Sequence, residues 1–224
     1  MPNPYFSNLG DFLYVNRTKE GRSEGDYSLV KNLFKRAKLR EDIYQDLAFF
    51  SKFDILGDDR PDNVADLIYG DATLDWVVLL SNNIVNVQSE WPLSQADFNR
   101  YITEKYDSEE ILYSGIHHYE SREVKANDDT IIIPAGERVG VGQSVSFYDD
   151  ITEQQIIRTD VAMPITNYMH EDKLNNDKRN IFLLKPIYLN ILFDDIEEIM
   201  ANKKGSTQFV SRTLVTGDNI RLYD

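Results

Sequence analysis

Three histidines, several paired carboxylates and one glycine-rich stretch are the groups in this chain with the most chemical potential. His117 and His118 are adjacent, while His170 lies far along the chain. Neighbouring side chains of an ideal strand point to opposite faces, so the adjacent pair is not expected to ligate one ion. No metal site and no cofactor are expected. Carboxylates pair at Asp58-Asp59, Asp149-Asp150, Asp194-Asp195 and Glu197-Glu198. Glycoside hydrolysis needs two such groups across a cleft, one with its pKa raised by burial. Runs in turns or on helix surfaces are solvated instead. Gly136, Gly140 and Gly142 lack the helix start and lysine of a phosphate loop, and suit hairpin turns or bulges. No serine sits in a G-x-S-x-G elbow, and no HExxH or calcium-loop spacing occurs. The absence of cysteine removes disulfides, thiolate zinc sites and cysteine nucleophiles together. The expectation is a protein that is not an enzyme.

Bulk properties narrow the partners. With 38 acidic and 24 basic residues the formal charge is −14, which disfavours phosphate backbones and favours partners with basic patches. Hydrophobic residues make up 42% of the 224, enough for a sizeable core. No apolar run approaches the roughly 20 residues of a membrane span. Residues 1–4 carry neither a basic region nor an apolar stretch, so no secretory signal is expected.

The elements that would hold these groups follow from periodicity. A short apolar stretch at residues 12–15 precedes a charged, glycine-containing loop at 18–26, expected to be mobile or ordered by a partner. Ser28 is expected to cap a helix with Val30, Leu33, Phe34 and Ala37 on one face and Lys31, Lys35 and Lys38 on another. Those lysines read either as a solvated face or as a docking surface for an acidic partner. Residues 47–56 read as a strand. Asp62 is placed to cap a helix burying Val64, Leu67 and Ile68, which Gly70 stops. Thr73 is placed to cap a second helix carrying Trp76, Val77, Leu79 and Leu80, ended by Asn82 and Asn83. Helices this short must brace each other. Trp91, Pro92 and Leu93 read as a rigid apolar hook, and Ser94 as the cap of a helix reaching about residue 106. Residues 111–161 read as antiparallel hairpins, 175–180 as a polar loop and 181–184 as a strand. Pro186 opens a C-terminal helix to about residue 200 that carries Tyr188 and Phe193.

The expected fold class is α+β: a helical pair with flanking strands, an antiparallel hairpin region and a C-terminal amphipathic helix. The expected division is an arm and basic helix over 1–46, the helical pair and following helix over 47–106, hairpins over 107–178, strand and helix over 179–202, and a polar tail over 203–224. Tyr69, Asn82, Asn83 and Trp91 are the better candidates for partner contact, while Ile68, Trp76, Leu79 and Leu80 are assigned to the interior.

The stretch RPDNVADLIYGDATLDWVVLLSNNIVNVQSEWPL (60–93) has its capped helix, Ile68-Tyr69-Gly70-Asp71, Trp76 helix and closing asparagines in the order of a LysM module. The longer pattern, with its upstream apolar strand, WPLS turn and downstream strand-Lys185-Pro186-helix, resembles the baseplate wedge subunit of T-even-type contractile-tailed phages, the gene fifty-three product family. Ala72 and Asp75 depart from that family's habits, as does much of 111–161. The resemblance implies a structural virion protein of the tail baseplate, assembled in the host bacterial cytoplasm. Its implied partners are the two core-bundle wedge subunits that it clamps, the sheath-initiator subunit, neighbouring wedges and the hub. No nucleic acid and no membrane are implied. The alternative reading is a peptidoglycan-binding LysM module using the loop near Asp58 and Asn83. Such modules usually stand as repeats on Ser/Thr/Pro-rich linkers, which this chain lacks.

Overall fold

A computed structural model describes residues 4–15, 27–202, 204 and 209–216. The expected loop at 18–26 and most of the polar tail lie outside the described residues. In chain order the elements are β1 (Asp11–Val15), β2 (Tyr27–Lys31), α1 (Glu41–Gln45), β3 (Phe50–Asp54), α2 (Pro61–Tyr69), α3 (Asp75–Ser81), α4 (Val87–Glu90), α5 (Gln95–Lys105) and α6 (Glu109–Ser114). Then come β4 (Ile116–Ser121), β5 (Val124–Lys125), β6 (Ile131–Ile133), β7 (Arg138–Val139), β8 (Val145–Asp149), β9 (Gln154–Arg158) and β10 (Ala162–Thr166). The last are α7 (Asn167–Asp177), β11 (Asn180–Leu184), α8 (Leu189–Met200) and β12 (Leu214–Thr216). The class is mixed α+β.

The chain forms two compact units, one of residues 1–91 with 179–224 and one of residues 92–178. In the first unit, β3 pairs antiparallel with β11, Phe50 opposite Leu184 and Asp54 opposite Asn180. α2 and α3 lie between these strands in sequence and pack on each other, and α3 packs on β11. Pro61 occupies the first turn of α2, where its missing N–H costs nothing. Gly70 ends that helix at φ +72°, a left-handed conformation that glycine adopts without a Cβ clash. Two expected caps differ. Asp62 lies inside the first turn, and Asp71 rather than Thr73 accepts from the Thr73 N–H at 2.9 Å to start the 3-10 turn that leads into α3. Val64, Ala65, Trp76, Val77 and Val78 enter the core with Leu183, Leu184, Leu192 and Ile196, whereas Leu67 faces solvent. Burying each such aliphatic side chain contributes about 1.5–3 kcal/mol.

The helix expected from Ser28 does not form. Tyr27–Lys31 is instead a strand on β1, with Phe12 opposite Val30 and Leu13 opposite Leu29. Asn32 then turns the chain, its Oδ1 accepting from the Phe34 N–H at 3.2 Å. This local Asx bond competes with helix continuation. β12 adds to the far side of β1 in parallel, which leaves β2 as the outer strand of the order β12-β1-β2. Residues 47–49 form a 3-10 turn, so the expected strand starts only at Phe50.

The second unit packs α5, α6 and α7 around Phe98, Ile102 and Leu112. Ser94 caps α5 as its position predicts, accepting from the Asp97 N–H at 3.1 Å. β4 lies between β10 and β7, and β8 and β9 form a separate hairpin. Of the stretch expected as a polar loop over 175–180, residues 175–177 end helix α7, which Thr166 caps and which buries Glu171 and Asn175. Residues 178–179 form a turn and Asn180 starts β11. β4 carries a bulge: Ile165 pairs with His118 but Thr166 pairs with Ile116, so His117 is the extra residue. The alternation that would separate the two histidines is thereby broken.

Candidate interaction surface

The lysines expected along one helix face serve different ends. Lys31 Nζ binds Asp11 at 2.8 Å and the Leu9 carbonyl at 3.1 Å. Lys35 Nζ donates to the carbonyls of Met200 (2.9 Å) and Ala201 (3.1 Å) and to Asn202 Oδ1 (2.8 Å). It thus places a cation on the negative end of α8. Lys38 is exposed beside Leu39, Tyr44 and Asn83 in a shallow cavity of about 400 Å³.

Most of the aromatic candidates are held inside. Tyr69 donates its hydroxyl to the Leu184 carbonyl at 2.9 Å, and burial pushes its phenol well above the usual range. Trp91 is only 6% exposed and donates Nε1–H to the Asp59 carbonyl at 3.0 Å. Pro92 is also buried, and Leu93 exchanges backbone bonds with the Asn175 amide, so these two belong to the second unit. Tyr188 sits edge-on to Phe49 with ring centres 4.8 Å apart, and Phe193 is half-buried against Trp76. Asn82 bonds both backbone groups of Phe182 at 2.8 Å, while Asn83 takes φ +53° and accepts from Arg36 at 3.2 Å.

What faces outward is a different set. Phe34 is 91% exposed and Leu33 68%, although helical spacing assigns both to an inner face. Phe34 stands edge-on to Phe12 at 6.4 Å, beside Val30 and Tyr14 on the same face of the sheet. The missed signal is Asn32, a turn former placed between the strand-like Tyr27-Ser28-Leu29-Val30 and this apolar pair. A groove of about 770 Å³ lies on the helical pair, lined by Tyr5, Phe6, Trp76, Leu80, Ile84 and Val85 among others. Trp76 Nε1 is buried there without an acceptor among the described residues. Asp62 and Asp75 edge the groove, and burial, then the charge of Asp62, raises the Asp75 carboxyl.

Among the paired carboxylates, the buried Asp149 has its pKa lowered, the reverse of what a general acid needs. It accepts from Asn127 at 2.6 Å and from the Thr152 hydroxyl and N–H; the Thr152 hydroxyl bond above all holds its pKa down. Leu33, Phe34 and the groove on the helical pair are apolar surface on short elements, of the kind that a partner covers. Residues 25–128 match the family model described as base plate wedge protein 53. Over that segment, which is less than half of the chain, the protein is similar to a phage baseplate wedge protein. No curated protein matches the chain. Among the described residues no helix is long and apolar enough to cross a membrane.

Proposed function

We propose that this chain clamps the helical core bundle of two other baseplate wedge subunits and helps neighbouring wedges to join, using the outer face of β2 and the turn after it. The observation that carries this reading is Phe34, a large aromatic side chain 91% exposed inside the family-matched segment. Aromatic anchors of this kind dominate interface energetics once a partner covers them. The acidic edge of the helical-pair groove favours a partner with basic groups around its apolar contact, in keeping with the net charge. The order strand, helix, helix, strand, closed by β11 on β3, supports a LysM-like framework turned to protein contact.

Co-expression with the remaining wedge proteins, followed by size-exclusion chromatography, tests the proposal. The wild type is expected to co-elute in a large complex. Phe34→Asp and Leu33→Asp are expected to weaken that association at least about tenfold, the order of a hot-spot loss. Their thermal unfolding should stay within about 0.5 kcal/mol of wild type, as for other exposed positions. Undiminished co-elution of both variants would remove β2 from the interface, and a wild type that stays monomeric would remove the clamp itself.

A further inference from the structure

The bulge in β4 brings three imidazoles together in the second unit. One ring nitrogen from each of His117, His118 and His170 lies within 4.8 Å of the others. His117 Nδ1 and His118 Nδ1 are 2.9 Å apart, and the His117 and His170 rings stack with centres 3.9 Å apart. Ligands about 2.0–2.1 Å from a metal sit about 2.9 Å apart at a right angle and about 3.4 Å apart at the tetrahedral angle. The His117–His118 pair already has that spacing, and the His170 nitrogen lies within 4.8 Å of both. The exposed member, His117, must leave its stack on His170 for its ring plane to meet an ion.

The surroundings orient the His118 ring. His118 Nε2 lies 3.1 Å from Glu120 Oε1, and Lys173 Nζ holds the same oxygen at 2.8 Å. The Glu120 carboxylate accepts, so His118 donates through Nε2–H, which turns its Nδ1 toward the cluster. Carboxylate–histidine pairs of this kind orient metal-bound imidazoles. We propose that His117, His118 and His170 form a binding site for one divalent transition-metal ion, with Glu120 as the positioning residue, joining β4 to α7. The donor set is all imidazole, which selects zinc, nickel, cobalt or copper over magnesium and calcium. This site is independent of the clamping surface.

Calorimetric titration of the full, tag-free chain with zinc ions alone, after chelator treatment, tests it. One ion per chain is expected to bind, and magnesium not at all. Cobalt should give the visible absorption of nitrogen ligation. Each of His117→Ala, His118→Ala and His170→Ala should weaken zinc at least about tenfold, and Glu120→Gln by about 10- to 100-fold. Zinc should raise the unfolding temperature of the wild type and leave that of His117→Ala unchanged. Because His117 is exposed, that variant keeps its fold and the test stays decisive even if His118→Ala or His170→Ala is unstable. Zinc affinity unchanged in His117→Ala, or equal binding of magnesium, would overturn the site.

Discussion

Glu171 is 5% exposed and sits on α7 where a solvated helix face would be expected. Its carboxylate accepts from Lys105 at 2.8 Å, Tyr106 at 3.0 Å and Tyr101 at 3.2 Å. Burial alone would raise its pKa, but the hydrogen bonds from Lys105 and Tyr106 outweigh that and hold it below 4.5. Lys105 moves the other way, raised above 10.5 chiefly by its bond to Glu171. A carboxylate with a lowered folded pKa adds stability above its unfolded value and loses it as pH falls through the folded one. A raised lysine adds stability below its unfolded value and loses it as pH rises through the folded one. The pair therefore stabilises the second unit across the interval from about 4.5 to about 10.5, with losses on either side. Glu171→Gln should cost about 1–3 kcal/mol at pH 7, since a charged acceptor with three donors is replaced by a neutral amide. The acid limb of its stability profile should also flatten. Urea unfolding at pH 3, 5, 7 and 9 measures both, and a mutant profile parallel to wild type would reject the assignment. The same residue hides α7 from sequence reading. A helix that buries Glu171 and Asn175 shows no apolar stripe, so its period is invisible.

Elements were legible where local chemistry and burial agree. The Pro61–Gly70 helix and the Ser94 cap carry terminal signals that the fold uses, Pro186 opens a 3-10 turn that leads into α8 rather than α8 itself, and the apolar runs of α3 and α8 reach the core. Residues 28–38 show the opposite case, because apolar side chains at helical spacing there also suit a strand followed by an Asx turn. Pairing with β1 decides it, and the sequence carries no local mark of that pairing. The β3–β11 register is equally non-local, joining Phe50 to Leu184 across the whole second unit. Asn82 closes the other edge of β11. Its amide donates to the Phe182 carbonyl and its carbonyl accepts the Phe182 N–H, both at 2.8 Å, so a side chain does the work of a third strand. Read from sequence as a surface contact, it is a bridge between α3 and β11. Asn82→Ala should destabilise the first unit by about 1–2 kcal/mol, with water recovering part of the loss because Phe182 is exposed. Asn82→Asp should lose at least as much, since it keeps the acceptor but not the donor. Faster amide exchange at Phe182 in both variants distinguishes a lost bridge from general loosening.

At the level of the whole chain, the second unit is an insertion whose two ends leave and re-enter the first unit beside one segment. Trp91, the last residue before it, donates to the carbonyl of Asp59 at 3.0 Å. Arg179, the first residue after it, accepts from the Ile55 N–H at 2.9 Å and donates from its guanidinium to the Gly57 carbonyl at 2.7 Å. Both ends are therefore tied to residues 55–59, so joining them demands little reach. The core of the first unit, from Leu9 to Met200, includes no residue of 92–178. Chain ends held close together on a separate core are the condition under which insertions are tolerated and removable. Replacing residues 92–178 with a short glycine-serine linker should leave the first unit folded, with the β3–β11 pair and the Asn82 bridge intact. Closing a loop that is shorter than the insertion also lowers its entropic cost, by about 0.6 kcal/mol for each halving of length. A single cooperative thermal transition and retained amide protection at Phe182 and Leu184 are the expected results. A molten chain with neither would mean that the first unit draws its stability from the inserted residues, and that the chain folds as one body rather than two.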